Sequence, residues 1–215
     1  MTRFKDRDDA GRSLARALFD YRNSDAVVLG IPRGGVPVAY RVASELGMPL
    51  DVIIVRKLGV PGQPEVAMGA VGEDGVLIVN QDVLAAVSVS EAELAREVAD
   101  ERREVVDRAG RLRGDAQPQP LTGRTAIIVD DGVATGATTR AACEVARAHG
   151  ASKVVLAVPV GAADTLAALR TVADDVVCLS VPRHFWAVGE AYEDFSQVPD
   201  RDVVAMIERA SGEHH

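Results

Sequence analysis

The sequence predicts an α/β fold, a mostly parallel twisted sheet with helices on both faces. Two observations carry this expectation. Short apolar runs alternate with segments of helical periodicity, the order that builds a parallel sheet covered by helices. Three loops after those runs, residues 32–35, 56–65 and 130–139, are rich in glycine, hydroxyl or charged side chains, and ligands in such folds sit beyond the carboxyl ends of the strands. With 215 residues, 47% of them hydrophobic, the chain can bury a sizeable core, and we expect a single domain over residues 1–215.

The elements follow in order. Residues 6–21 place Ala10, Leu14, Ala17, Leu18 and Tyr21 at helical spacing, an amphipathic first helix. An apolar strand at 27–31 ends at Pro32, and the loop Pro32-Arg33-Gly34-Gly35 leads into a helix at 36–46 that Gly47 stops. A second buried strand at 52–55 ends in Arg56-Lys57. Residues 59–65, with two glycines and two prolines, read as a loop. Apolar runs at 66–71 and 76–79 flank Gly72-Glu73-Asp74-Gly75, and Asp-Gly between such runs signals a hairpin. Ser90 and Glu93 make a capping box for a long helix at about 91–112, whose charged side from Glu97 to Arg113 reads as a solvated face. Residues 115–120 are a linker-like break. A strand at 125–130, a helix at 137–149 closed by Gly150, a strand at 153–159, a helix at about 163–171 and a strand at 175–181 complete the alternation. A last helix is expected at about 200–210.

Composition narrows the function. A net charge of −8 and a pI near 5.0 argue against a nucleic-acid binder held by a broad basic surface, though a small local basic site for an anion stays open. Cys143 falls in a helical pattern and Cys178 in a strand, and both read as buried reduced thiols. No Cys/His cluster has metal-ligand spacing. The charged N-terminus lacks an apolar signal region and no apolar stretch is long enough to span a membrane, so a cytoplasmic protein is expected. His214 and His215 are given no function.

The most informative stretch runs from Ala126 to Arg140. Four apolar residues meet Asp130 and Asp131, and then the small and hydroxyl loop Gly132-Val133-Ala134-Thr135-Gly136-Ala137-Thr138-Thr139. A strand that turns here into a helix N-terminus offers free N–H groups and the positive end of the helix dipole, a seat for phosphate. Asp130 and Asp131 cannot comfortably contact that same dianion; they suit sugar hydroxyls or the neighbourhood of a Mg2+ ion. A phosphorylated sugar satisfies both halves. Other anion motifs fit worse: Ala137 follows Gly136 where a Walker loop needs lysine, no βα turn carries G-x-G-x-x-G, and Gly132 stands where an aspartyl-phosphate enzyme wants a second acid.

At these residues the chain resembles the type I phosphoribosyltransferases. The run from Val129 through Thr139 looks like that family's signature for phosphoribosyl pyrophosphate, and the likeness extends over roughly residues 25–180. Arg33-Gly34-Gly35 resembles the family's pyrophosphate loop, and Arg56-Lys57 the start of its flexible catalytic loop. Residues 182–199, with the terminal helix, fall where the family carries a hood over the site.

The resemblance implies transfer of ribose 5-phosphate from Mg2+–phosphoribosyl pyrophosphate to a small nitrogenous base. Asp130 and Asp131 would orient the ribose hydroxyls and meet Mg2+ indirectly. Ala134, Thr135, Gly136, Ala137, Thr138 and Thr139 would hold the 5′-phosphate. Arg33, the N–H groups of Gly34 and Gly35, Arg56, Lys57 and Mg2+ would take charge growing on the leaving group. The 58–65 loop would close as a lid, with Glu65 as a candidate lid acid, and Trp186 would stack on the base. His184 is a candidate base, although a lone histidine usually serves structure. Ala134 stands where hypoxanthine-guanine enzymes carry an acid, and the lid lacks the extra lysine of orotate enzymes, so neither subclass is favoured. The family's habit of dimerising makes a homodimer an expectation. The alternative is a regulatory protein that binds phosphoribosyl pyrophosphate or a nucleotide without catalysis.

Overall fold

The computed structural model describes residues 3–87, 89–114 and 116–212, and of Pro64 and Glu65 the backbone alone. The lid acid suggested at Glu65 and the pair His214 and His215 therefore lie outside the described side chains. Asp6 caps α1 (Arg7–Ala17) by accepting from the Asp9 N–H. The chain continues through β1 (Val27–Gly30), α2 (Gly35–Leu46), β2 (Leu50–Val52), β3 (Val55–Val60), β4 (Gln63–Gly72) and β5 (Leu77–Val79). Two helices follow, α3 (Gln81–Ala86) and α4 (Glu91–Arg113). The alternation resumes with β6 (Thr125–Val129), α5 (Ala137–Ala148), β7 (Lys153–Val160), α6 (Ala163–Leu169) and β8 (Asp175–Ser180), and α7 (Asp200–Gly212) ends it.

Five strands form the expected parallel sheet in the order β2-β1-β6-β7-β8. Its strands are apolar at nearly every position because both faces are covered. Val28, Ile127, Val129 and Val155 face a core closed by α1, α2, α4 and α7, while Val27, Leu29, Ile128 and Leu156 face a core closed by α5 and α6. Strand order reverses between β1 and β6, and Gly30 is in register with Val129. The loops at 31–35 and 130–139 therefore leave the sheet side by side at its switch point, where such folds bind ligands.

Two expectations need correction. The strand expected at 52–55 is two strands: β2 stays in the parallel sheet, and β3 leaves for a second, three-stranded antiparallel sheet with β4 and β5. Arg56 and Lys57 thus lie inside β3 rather than at a strand end. The loop read at 59–65 is the tip of the β3–β4 hairpin, with Val60 paired to Gln63 across Pro61-Gly62. Gly62 takes φ +79°, the left-handed turn position that glycine fills without strain. Glycine and proline marked a turn correctly; the backbone pairing that makes it a hairpin depends on residues further along. The second hairpin, at 72–75, and the capping box of Ser90 and Glu93 form as expected. The sequence reading had no counterpart for α3.

The charged side of α4 is only partly solvated. Arg113 is 7% exposed and donates to Asp51 and Glu73. Arg56 from β3 forks onto Glu101 at 2.6 and 3.3 Å. Cys143 is buried and Cys178 half-buried, both as free thiols, and burial pushes the Cys143 thiol up to about 12. Among the described residues no helix is long and apolar enough to cross a membrane.

Candidate active site

Asp130 and Asp131 follow β6 directly, held by contacts from three distant segments. The Asp131 N–H donates to Asp130 Oδ1 at 2.9 Å. Arg7, at the start of α1, reaches Asp131 Oδ2 through Nε at 2.9 Å and a terminal nitrogen at 2.8 Å. The same guanidinium lies 4.0 Å from the centre of the Phe195 ring. Tyr192, 1% exposed, donates its hydroxyl to the Asp131 carbonyl at 2.6 Å. Tyr192 in turn packs against Phe4 and Phe195, with ring centres 5.8 and 5.1 Å away. These aromatics of the 182–199 segment thus pack the segment onto the acid loop. Burial, and then the Asp131 charge, pushes Asp130 well above the usual carboxylate range. Burial pushes Asp131 up as well, with Arg7 opposing it.

The loop after β1 lies directly on this pair. A Cβ at Gly34 would run into the Asp131 carboxylate, and one at Gly35 would come within 2.6 Å of the Val129 carbonyl, so the two glycines let the loop approach the pair closely. The Gly35 N–H already donates to the Ile31 carbonyl at 3.0 Å. In this structure that donor is used within the loop, and Gly35 supplies close approach. Arg33 turns toward Asp200 at the start of α7, at 3.6 Å.

The 134–139 run divides between two clefts. Gly136, at φ +75°, starts α5, and no side chain caps that helix. The first-turn N–H groups of Ala137, Thr138 and Thr139 precede any helical acceptor. Thr165 Oγ1 donates to the Ala134 carbonyl at 2.7 Å and holds the loop. Thr138 lines a cleft of about 450 Å³ with Pro32, Ile53, Arg56, Lys57 and Arg108. Thr135, Gly136 and Ala137 line a cleft of about 620 Å³ with Lys57, Asn80 and Arg140. Lys57 borders both clefts and makes no ion pair among the described residues. Thr139 is 3% exposed, so its side chain packs inside. Trp186 is 82% exposed and lines neither cleft. His184 borders neither cleft.

Sequence reading missed four residues. Arg7 lies 124 positions from Asp131 and carries no local signal. Tyr192 lies 61 positions from Asp131, and no local pattern marks its hydroxyl bond. Arg108 and Arg111 were absorbed into a face read as solvated.

A parallel sheet with paired acids, an uncapped helix N-terminus and a glycine loop at one switch point defines the α/β class of this site. The chain belongs to the phosphoribosyl transferase family, whose domain model matches residues 3–195. It is 54% identical over 213 residues to a Mycobacterium tuberculosis protein (strain ATCC 25618 / H37Rv) provisionally named phosphoribosyl transferase Rv0571c. That match covers 98% of this chain and 47% of the relative, so the chain spans about half the length of the curated relatives it matches. The crystal structure of TT1426 from Thermus thermophilus shares 46% identity and superposes with a TM-score of 0.90, covering 97% of this chain and 99% of that one.

Proposed function

We propose that this domain transfers ribose 5-phosphate from phosphoribosyl pyrophosphate to a small nitrogenous base. The observation that carries the reading is the meeting, at one switch point, of Asp130-Asp131, the glycine loop pressed onto them and the uncapped start of α5. The first-turn N–H groups of α5, with the exposed hydroxyls of Thr135 and Thr138, hold the 5′-phosphate and supply binding energy remote from the reacting carbon. Asp130 and Asp131 accept from the ribose hydroxyls and offset positive charge developing on the sugar ring. The C1′–oxygen bond breaks with its electron pair going to pyrophosphate, and a nitrogen lone pair of the base forms the new C1′–N bond. The proton on that nitrogen passes to solvent. Lys57, beside both clefts, offsets charge on the departing oxygen, and the β3–β4 hairpin above it excludes water.

The donor set suits Mg2+ brought with the substrate. Among the described residues no three His, Cys, Asp or Glu side chains converge, and Mg2+ commonly keeps its waters and binds through one or two carboxylates plus substrate phosphates. Asp130 and Asp131 would meet it through water or ribose hydroxyls. When bound, it neutralises the diphosphate. One domain over residues 1–215 with residues 182–199 as a hood, a cytoplasmic location and a homodimer belong to the same reading.

Pyrophosphate release from Mg2+–phosphoribosyl pyrophosphate, measured with a panel of bases, tests it. Release is expected with at least one base, and Asp131→Asn is expected to lower it by about 100-fold or more, the scale of a lost charge-stabilising group. Binding without release on any base would favour a regulatory sensor. No binding of phosphoribosyl pyrophosphate or ribose 5-phosphate would overturn both readings.

A further inference from the structure

Residues 3–7 and residues 191–196 form one unit against the acid loop. Phe4 bridges Tyr192 in parallel, and the Phe4 N–H donates to the Ala191 carbonyl at 2.8 Å. The Glu193 and Asp194 N–H groups donate to the Phe4 and Lys5 carbonyls at 2.8 and 2.9 Å. Arg7 ends this pairing, and its guanidinium is divided between the two partners. Nε and Nη2 both meet Asp131 Oδ2, at 2.9 and 2.8 Å, while Nη1 donates to the Ser196 carbonyl at 2.8 Å. One face of the guanidinium lies on the Phe195 ring. The Arg7 and Asp131 side chains are 11% and 13% exposed, so water competes little for these contacts. A planar group held at every nitrogen and on one face has a single orientation, and it imposes that orientation on the carboxylate it grips.

We propose that Arg7 is a positioning residue: it sets the Asp131 carboxylate for a sugar hydroxyl and ties residues 191–196 to that setting. Both donors to Asp131 end on one oxygen, so Arg7 takes Oδ2 and fixes the rotation at which Oδ1 is presented. All three guanidinium nitrogens are engaged within the protein, so Arg7 acts through Asp131 and not on the substrate. Desolvating an ion pair costs about as much as the pair returns, which makes it a poor device for stability alone. Its place here, on an acid at the switch point, fits a demand for one carboxylate position. The same guanidinium grips Ser196 and lies on Phe195, so a ligand that orders Asp131 also orders the segment, and by linkage the reverse holds. The inference rests on the proposed reaction for the identity of the hydroxyls, those of the ribose.

Calorimetric titration with ribose 5-phosphate tests the role, with inorganic phosphate titrated in parallel because it carries no hydroxyl for Asp131. Arg7→Gln is expected to weaken ribose 5-phosphate by about tenfold or more, the scale of a lost hydrogen bond to a charged group, and to leave inorganic phosphate within about twofold. Arg7→Lys keeps the charge but loses the fork, and should remain severalfold weaker than the native chain. Phe195→Leu should weaken ribose 5-phosphate by about threefold, the scale of one cation–π contact. Amide exchange reads the coupling: ribose 5-phosphate should slow exchange at 191–196 in the native chain, and at 130–139 alone in Arg7→Gln. Equal losses for both ligands, or full recovery in Arg7→Lys, would overturn the positioning role. Should Arg7→Gln fold poorly, unchanged affinity in both Arg7→Lys and Phe195→Leu would overturn it as well. If ribose 5-phosphate does not bind the native chain, the proposed reaction falls and takes this role with it; binding that Arg7→Gln leaves unchanged overturns the role alone.

Discussion

Arg113 and Arg108 sit on the same helix and meet opposite fates. Arg113 is buried and saturated: it donates to Asp51 at 2.8 Å, to Glu73 at 3.1 Å and to the Val52 carbonyl at 3.1 Å. Asp51 is completed by the Gln119 N–H at 2.9 Å. Arg108 donates to one carbonyl and lies among three like charges, with the charge of Asp200 opposing them. The first cluster ties α4 to β2 and to the β4–β5 turn, and it leaves nothing for a ligand. The second leaves charge open beside the glycine loop. The same side chain serves the fold where partners neutralise it, and is available for binding where they do not.

The largest expected effect is on the saturated cluster. Arg113→Met strands two acids in the interior and should cost about 3–5 kcal/mol, read from urea unfolding. Arg108→Met should cost well under half of that, since among the described residues no carboxylate is ion-paired to it. Equal losses would break the contrast. Arg7→Gln probes the intermediate case, a cation that half-satisfies Asp131, and should cost about 1.5–3 kcal/mol at neutral pH. That cost should shrink as pH falls through the raised Asp131 range, because a protonated Asp131 no longer needs Arg7. A loss independent of pH would mean that Arg7 acts through Phe195 packing.

Asp130→Asn should show the smallest change, with the opposite sign. The Asp130 proton affinity is higher in the folded chain than in the unfolded one, so its ionisation penalises the fold increasingly as pH rises from the unfolded value. Asn removes that penalty while its Oδ1 can still accept from the Asp131 N–H. Tm is expected to rise by about 2–4 °C at pH 7, the shift of roughly 1 kcal/mol in a chain of this size, and by nothing near pH 3. Ligand binding should fall in the same variant. A lower Tm at pH 7 would place Asp130 among the satisfied groups with Asp51.

Much of the frame was legible before any coordinates. Apolar runs covered on both faces, the stop at Gly47 and the Ser90–Glu93 box are local signals, and each produced the expected element. The acid-to-threonine turn was equally local, since a strand end and a helix start are written in adjacent residues. The failures share a cause. Residues 59–65 read as a loop because glycine and proline report a turn but not the strand that pairs beyond it. The α4 face read as solvated because helical spacing does not reveal that Asp51 and Glu73 wait beside Arg113.

By itself, then, the sequence determined the α/β alternation, the burial of the parallel strands and the chemistry of the acid and glycine loops. These follow from side-chain period and backbone preference within a few residues. The tertiary structure decided which charges are spent and which are open. It brought Arg7 and Tyr192 onto Asp131, used the Gly35 N–H internally, and set Arg33, Arg56, Arg108 and Arg111 around one cavity. Neutralisation depends on partners far away in the chain and only a few ångströms away in space, and no local pattern records that distance.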